Sequence, residues 1–170
     1  MKEKNDLKEI VACQISNIDV LKMKYNKSKI SKLDANENPS IVKFNTRRLN
    51  KTLKKVNYYS DNDSTKLREE LSRMLKIYKD NFLFGNGSSE IISLIIKAFI
   101  EKGDKVITPV PTFLPYITES KIAGAIVEEV NLTPDYKIDL DTILKNMDNS
   151  TKLVFIVNYN YYGTFYNKAY

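Results

Sequence analysis

The chain has 170 residues, 27 basic and 21 acidic, no histidine and a single cysteine, Cys13. Imidazole catalysis, histidine-bound metal and an intrachain disulfide are therefore excluded, and 42% hydrophobic content suffices for a folded core. The net charge of +6 could attract nucleic acid or phosphorylated metabolites, but the basic residues are dispersed, and the densest group, Lys51, Lys54 and Lys55, reads best as a solvated helix face.

In chain order, residues 1–45 read as a lysine-rich N-terminal arm with one short helix, and residues 46–170 as the main domain. The apolar stretch at residues 10–13 is too short for a signal peptide, and no run approaches the ~20 residues of a membrane span. A cytoplasmic location is expected. Residues 33–39 turn to loop composition, with Asn38-Pro39 favouring a turn. A helix is predicted over 45–56 and a loop over 58–63. From Ser64 the spacing of Leu67, Leu71, Met74 and Leu75 predicts a second helix, capped by Asp63 or Ser64.

Residues 82–84 read as a short strand and 89–101 as a helix, apolar nearly all round and expected to be deeply buried, with Gly103 closing it. A strand follows at 105–108, with Pro109, Pro111 and Pro115 interrupting regular structure. Then come a helix at 116–123 closed by Gly124, a strand at 125–130, a helix at 139–146 and a strand at 152–157. The run Leu153-Val154-Phe155-Ile156-Val157 is continuous and apolar, as in a strand covered on both faces. Strands alternating with helices imply an α/β fold with a mainly parallel sheet.

The junction at Gly85-Asn86-Gly87-Ser88-Ser89-Glu90 is the most informative segment. Two glycines allow close backbone approach, and the helix that follows presents unpaired N–H groups. Ser88 or Ser89 is a natural N-cap there, and Glu90 suits the positive end of the dipole. Such a helix start commonly binds an anion, most often phosphate. Taken alone, the turn is more simply an ordinary capped helix start.

Several segments in fixed order carry a resemblance. They are Leu33-Asp34-Ala35-Asn36-Glu37-Asn38-Pro39, Tyr58-Tyr59-Ser60-Asp61 with Leu67-Arg68-Glu69-Glu70-Leu71, and the glycine–serine turn. Gly103-Asp104-Lys105-Val106, Pro109-Val110-Pro111-Thr112-Phe113, Ala123-Gly124-Ala125 and Thr151-Lys152-Leu153-Val154-Phe155 follow. Each motif is weak alone. Together the chain resembles the first part of a fold-type-I, pyridoxal-phosphate-dependent aminotransferase, and looks most like the histidinol-phosphate aminotransferase branch. The resemblance implies a partial three-layer sandwich, the incomplete large domain of such a transferase. It implies pyridoxal 5'-phosphate as cofactor, bound weakly or not at all by this chain alone, and a homodimer.

The resemblance also implies residue roles. Ser88 and Ser89 would give backbone N–H groups to the cofactor phosphate. Phe113 would stack on the pyridine ring, Tyr59 would reach the phosphate in the neighbouring subunit, and Asn36 and Asn38 would lie near the substrate entrance. Each has a plainer reading: a core aromatic, a surface tyrosine and two turn formers. Where the family has Asn-Pro-Asn-Asn-Pro-Thr-Gly, this chain reads Asn158-Tyr159-Asn160-Tyr161-Tyr162-Gly163-Thr164. Ungapped, Tyr161 takes the place of the asparagine that bonds the ring hydroxyl; an earlier gap gives Asn160. The family's ring-nitrogen aspartate, Schiff-base lysine and carboxylate-binding arginine come later than Tyr170, and no lysine here matches.

The leading expectation is thus a truncated or split aminotransferase, inactive alone. Whole, it would move an amino group from glutamate to a phosphorylated keto substrate such as imidazole acetol phosphate. A portion of a threonine-phosphate decarboxylase-like enzyme is the alternative within the fold. A non-catalytic remnant, or a subunit partnering a second polypeptide with the missing half, is the alternative outside it. Nucleic-acid binding is disfavoured by the dispersed charge. Strand 152–157, without a further neighbour, is expected to make the isolated chain poorly soluble.

Overall fold

The computed structural model describes residues 10, 16–38, 40, 41, 43 and 45–160. Cys13, Pro39 and Tyr161 lie outside the described residues. Two compact units are described in turn, residues 15–83 and residues 84–160.

The 15–83 unit carries α1 (Ile18–Tyr25), α2 (Thr46–Leu53), α3 (Thr65–Leu75) and a 3-10 turn at Lys79–Asn81. Its helix starts follow capping chemistry. Asn17 accepts from the Asp19 and Val20 N–H groups, and Asn45 from that of Arg48. At α3 the expected caps fail. Ser64 sits at a left-handed φ of 51° and makes no side-chain cap bond, while Asp61 accepts from the Thr65 N–H at 2.9 Å. The Arg68 guanidinium donates to the carbonyls of Asp63, Lys79 and Phe82, tying α3 to the turn that follows. No described residue of this unit is buried, and Met74 and Leu75 stand exposed.

Before α2, the Lys32 ammonium lies 3.2 Å from Asp34 and 3.1 Å from Glu37. The Ser16 N–H, with help from Lys32, holds the Asp34 carboxyl at about 2. Since that lies below the ordinary value of about 3.9, the stabilisation is present above about pH 4 and is lost as pH falls toward about 2. Urea midpoints at pH 5 and pH 3 should therefore differ less in Asp34→Asn than in the wild type.

The 84–160 unit is built on a parallel sheet. β1 (Lys105–Val110) lies between β2 (Ile126–Asn131) and β3 (Thr151–Val154), in the order β2-β1-β3. Around it pack α4 (Gly87–Phe99), α5 (Pro115–Ala123) and α6 (Leu140–Asn146). Successive strand side chains face opposite ways, and two cores result. Val106 joins Ile92, Ile96 and Ile100 with Phe113, Tyr116, Ala123, Leu153 and Phe155. Ile107 joins Val130, Ile138 and Ile143 with Leu132, Leu140 and Val154. The sheet thus has α4 and α5 on one face and α6 on the other, a small three-layer α/β arrangement. The crossovers β1-α5-β2 and β2-α6-β3 run in opposite directions across the sheet, so a common right hand places their helices on opposite faces.

Four expectations change. Residues 82–84 form no strand and have no ladder partner among the described residues, although Phe82 is extended. α4 stops at Phe99, and Gly103 takes its left-handed φ of 93° in the following turn, donating to the Gly124 carbonyl. α4 is buried on one side only: Ile92 and Ile96 are inside, while Phe99 is 68% exposed. Pro109 does not interrupt β1; it is fully buried within it. The ladder explains this. Lys105 and Ile107 bond toward β3, whereas Asp104 and Val110 bond toward β2. Pro109 shares the parity of Ile107, and its missing N–H points to the side where pairing with β3 has already ended.

β3 is shorter than expected and has β1 as its one sheet neighbour among the described residues, with Ile156 beyond it 51% exposed. The Lys105 ammonium bonds the Asn146 carbonyl and the Asp148 carboxylate, fixing the turn that enters β3. At α6, Asp139 accepts from both the Thr142 N–H (3.0 Å) and its hydroxyl (2.7 Å). Asp139→Ala should cost about 1 kcal/mol in urea denaturation. Among the described residues no helix is long and apolar enough to cross a membrane, and no metal-ligand cluster occurs.

Candidate cofactor site

The 84–160 unit gathers its chemistry on one rim. The connection from α4 to β1 is short, so α4 ends where β1 begins and runs back alongside it. Thirteen helical residues and six strand residues both span about 20 Å. The start of α4 therefore lies at the carboxyl end of β1, where open parallel sheets bind ligands.

At that start, Asn86 is the N-cap in place of Ser88 or Ser89, and its side chain makes no cap hydrogen bond. The Glu90 carboxylate instead folds back to accept from the Asn86 N–H and side-chain amide. This arrangement needs Gly85, where a Cβ would meet Glu90 Oε2 and Ile91 Cδ1 at 2.9 Å. Gly87, at φ 79°, supplies the left-handed step into the helix. Ser88 and Ser89 are exposed in the first turn, where N–H groups lack intrahelical acceptors.

Across the rim, Phe113 follows β1 and packs on the core that contains Ile92. Its ring stands at 83° to Tyr116, 5.7 Å between centroids, and Tyr116 lies 4.4 Å from Phe155. This aromatic row joins the segment after β1 to the one after β3. Burial pushes the Tyr116 phenol up, keeping it neutral. Asn160 is 6% exposed, and its Nδ2 donates to the Pro111 carbonyl at 3.5 Å. One residue on from Pro111, the Thr112 Oγ1 is shut from solvent and has no hydrogen-bond partner among the described residues.

The segment pattern described as Aminotransferase class I and II matches residues 13–167. The chain belongs to the class I and II aminotransferase family. A histidinol-phosphate aminotransferase of Thermoanaerobacter sp. (strain X514) is 44% identical to this aminotransferase chain over 135 residues, 76% of the chain and 38% of that protein. One from Bacillus subtilis (strain 168) is 35% identical over 162 residues, 94% of the chain and 45% of that protein. The crystal structure of histidinol-phosphate aminotransferase from Sinorhizobium meliloti in complex with pyridoxal-5'-phosphate superposes with a TM-score of 0.73 at 17% identity, over 94% of this chain and 43% of that one. An alanine aminotransferase from Pyrococcus furiosus gives 0.61 at 25% identity, over 72% and 34%. The aminotransferase chain spans about two-fifths of the length of the curated relatives it matches.

Of the expected site residues, Ser88, Ser89, Phe113 and Asn160 belong to the rim of one unit. Tyr59, Asn36 and Asn38 belong to the other. Tyr59 is fully exposed, at 105%. Asn36 takes a left-handed φ of 49°, and Asn38 accepts from the Ser40 N–H at 2.9 Å, both turn-forming roles. Thr112, Tyr116 and Phe155 carry rim geometry that the sequence leaves without a role, the three-residue spacing of Phe113 and Tyr116 being the one local signal, whereas Glu90, expected to suit the helix dipole, also bonds Asn86. The basic residues Arg47, Lys51 and Lys54 line a recess of about 460 Å³ on α2 and are all exposed, as solvated charge should be.

Proposed function

We propose that the 84–160 rim holds pyridoxal phosphate, and that these residues form the cofactor-gripping portion of a transaminase. The observation that carries this is the convergence, at one sheet edge, of a helix start uncapped by its own N-cap side chain, an anchored aromatic and a buried asparagine. The donors suit the group: N–H groups and the positive end of α4 for a phosphate dianion, Phe113 for a flat ring, an amide for a phenolic oxygen.

Pyridoxal phosphate, when bound, supplies an electron sink that lets an amino group pass between carbon skeletons. The residues of this chain would bind and orient it. Ser88 and Ser89 would donate their N–H groups to the phosphate. Phe113, braced by Tyr116, would fix the ring plane, and Asn160, tied to the Pro111 carbonyl, would offer its amide to the ring oxygen. Tyr59 would reach the phosphate of a second copy, and Asn36 and Asn38 would border the substrate. No lysine among these residues matches the position that carries the cofactor in the family. A second polypeptide or further sequence would supply that lysine.

For the whole protein, the histidinol-phosphate aminotransferases among its relatives favour a phosphorylated substrate of that kind, and the family resemblance would make glutamate the amino donor and imidazole acetol phosphate the keto acceptor. Equilibrium dialysis with pyridoxamine 5'-phosphate tests the grip, because this form needs no lysine. Weak, saturable binding near one per chain is expected. Failure to saturate at millimolar ligand would refute the reading.

A further inference from the structure

Residues 38–60 hold six basic residues and no acidic one, which leaves 21 basic against 21 acidic residues in the rest of the chain. The whole net charge of +6 therefore lies in this one stretch. Elsewhere cations have carboxylate partners: Lys22 has Asp19, Lys121 has Glu129 and Lys137 has Asp135. Among the described residues, no ion pair reaches a cation of α2. Arg47, Lys51 and Lys54 stand at i, i+4 and i+7, on one helix face, and span about 10 Å along its axis. With Thr46 and Asn50 they line the recess of about 460 Å³. The row works against the helix itself. Like charges at i,i+4 repel, and α2 has no acidic residue in its first turn, where Arg47 meets the positive end of the dipole. Past the helix end, the Lys55 N–H donates to the Thr52 carbonyl and the Tyr58 N–H to the Lys55 carbonyl, and Tyr58 stands 72% exposed.

We propose that the Arg47–Lys51–Lys54 face of α2 binds the backbone of a single-stranded nucleic acid, with Tyr58 stacking on a base. A row of cations meets successive phosphates and releases their counterions, and an exposed aromatic ring accepts any base on its face. A lipid surface fits less well. The opposite side of α2 carries only Leu49 and Leu53, both half-covered, which is little apolar surface to insert. The site lies in the 15–83 unit and does not rest on the reading of the rim as a pyridoxal phosphate site.

The test follows the fluorescence anisotropy of a labelled oligothymidylate of about 12 nucleotides as the chain is added at several salt concentrations. Saturable binding is expected, its affinity falling with salt at a log–log slope of about −2, the value for three phosphate contacts on a single strand. Changing Arg47, Lys51 and Lys54 together to glutamine should weaken binding at least about tenfold at low salt and flatten that slope. Each of Arg47→Gln, Lys51→Gln and Lys54→Gln alone should reduce the slope by about 0.7, which keeps the test decisive if the triple variant does not fold. Changing Lys22, Lys121 and Lys137 together to glutamine removes the same charge from paired positions and should leave binding within about twofold. Tyr58→Ala should bind about tenfold more weakly, and Tyr58→Phe as the wild type does. Equal losses in the two triple variants would mean a response to net charge alone and would overturn the proposal. So would undiminished binding by Tyr58→Ala, or displacement of the oligonucleotide by pyridoxamine 5'-phosphate. Sedimentation with phosphatidylserine vesicles in the absence of any oligonucleotide binding would overturn it too, and would give the face to a membrane instead.

Discussion

Ile107→Ala should destabilise the protein by about 2–5 kcal/mol, the range for removing a large aliphatic side chain from a packed core. Ile107 is 0% exposed in the central strand, and its side chain fills the layer between the sheet and α6 with Val130, Ile138, Ile143 and Val154. That core has few other fully buried members, so little is left to close over the cavity. A loss of this size is a large share of the ~5–15 kcal/mol that holds typical domains together. Urea denaturation followed by far-ultraviolet circular dichroism measures it. The same change at Leu144, which is 65% exposed on α6, should cost far less, and equal losses at the two positions would contradict the two-core description.

Ser88→Pro should lower affinity for pyridoxamine 5'-phosphate about 10- to 100-fold, the effect of deleting one hydrogen bond to a charged group. Proline is tolerated in a first helical turn, where the missing N–H has no intrahelical acceptor. The substitution thus removes one proposed phosphate donor and leaves α4 to form. Ser88→Ala keeps the N–H and should bind within a few-fold of wild type. Dialysis reads both affinities, and helicity by circular dichroism confirms that α4 persists. Equal losses in the two variants would mean that the serine hydroxyl, not the backbone, meets the anion.

The alternation of elements was readable because its signals are local. Gly124 ends α5 at a left-handed φ of 88°, which favours glycine, and a Cβ there would sit tightly against the Lys102 side chain at 3.2 Å. Asn45 and Asp139 cap the starts of α2 and α6, where helices were expected from the ranges 45–56 and 139–146. The misreadings arose where tertiary structure decides. Pro109 looked like a breaker because its sequence does not say which ladder its nitrogen faces. The apolar girth of α4 suggested burial on all sides, yet one face packs on the sheet and Phe99 lies open.

At the rim, the serines advertised a cap, but the cap position went to Asn86 because Glu90 reaches back to it from four residues on. That exchange leaves Ser88 and Ser89 in the first turn, better placed as donors than as caps. Asn160 takes the family asparagine's place only with an earlier gap, and Tyr161 without one; Asn160 is buried, with its amide donating to the Pro111 carbonyl. The unpaired state of the Thr112 hydroxyl could not be found from sequence, since it depends on everything packed around it.

The most direct test is to follow backbone amide resonances of the isotopically labelled chain as pyridoxamine 5'-phosphate is added. The largest saturable shifts are expected at Ser88, Ser89 and the residues flanking Phe113 and Asn160. Shifts that instead concentrate on the basic face of α2 at Arg47, Lys51 and Lys54, with the α4 start unmoved, would contradict the assignment of the rim as the cofactor site.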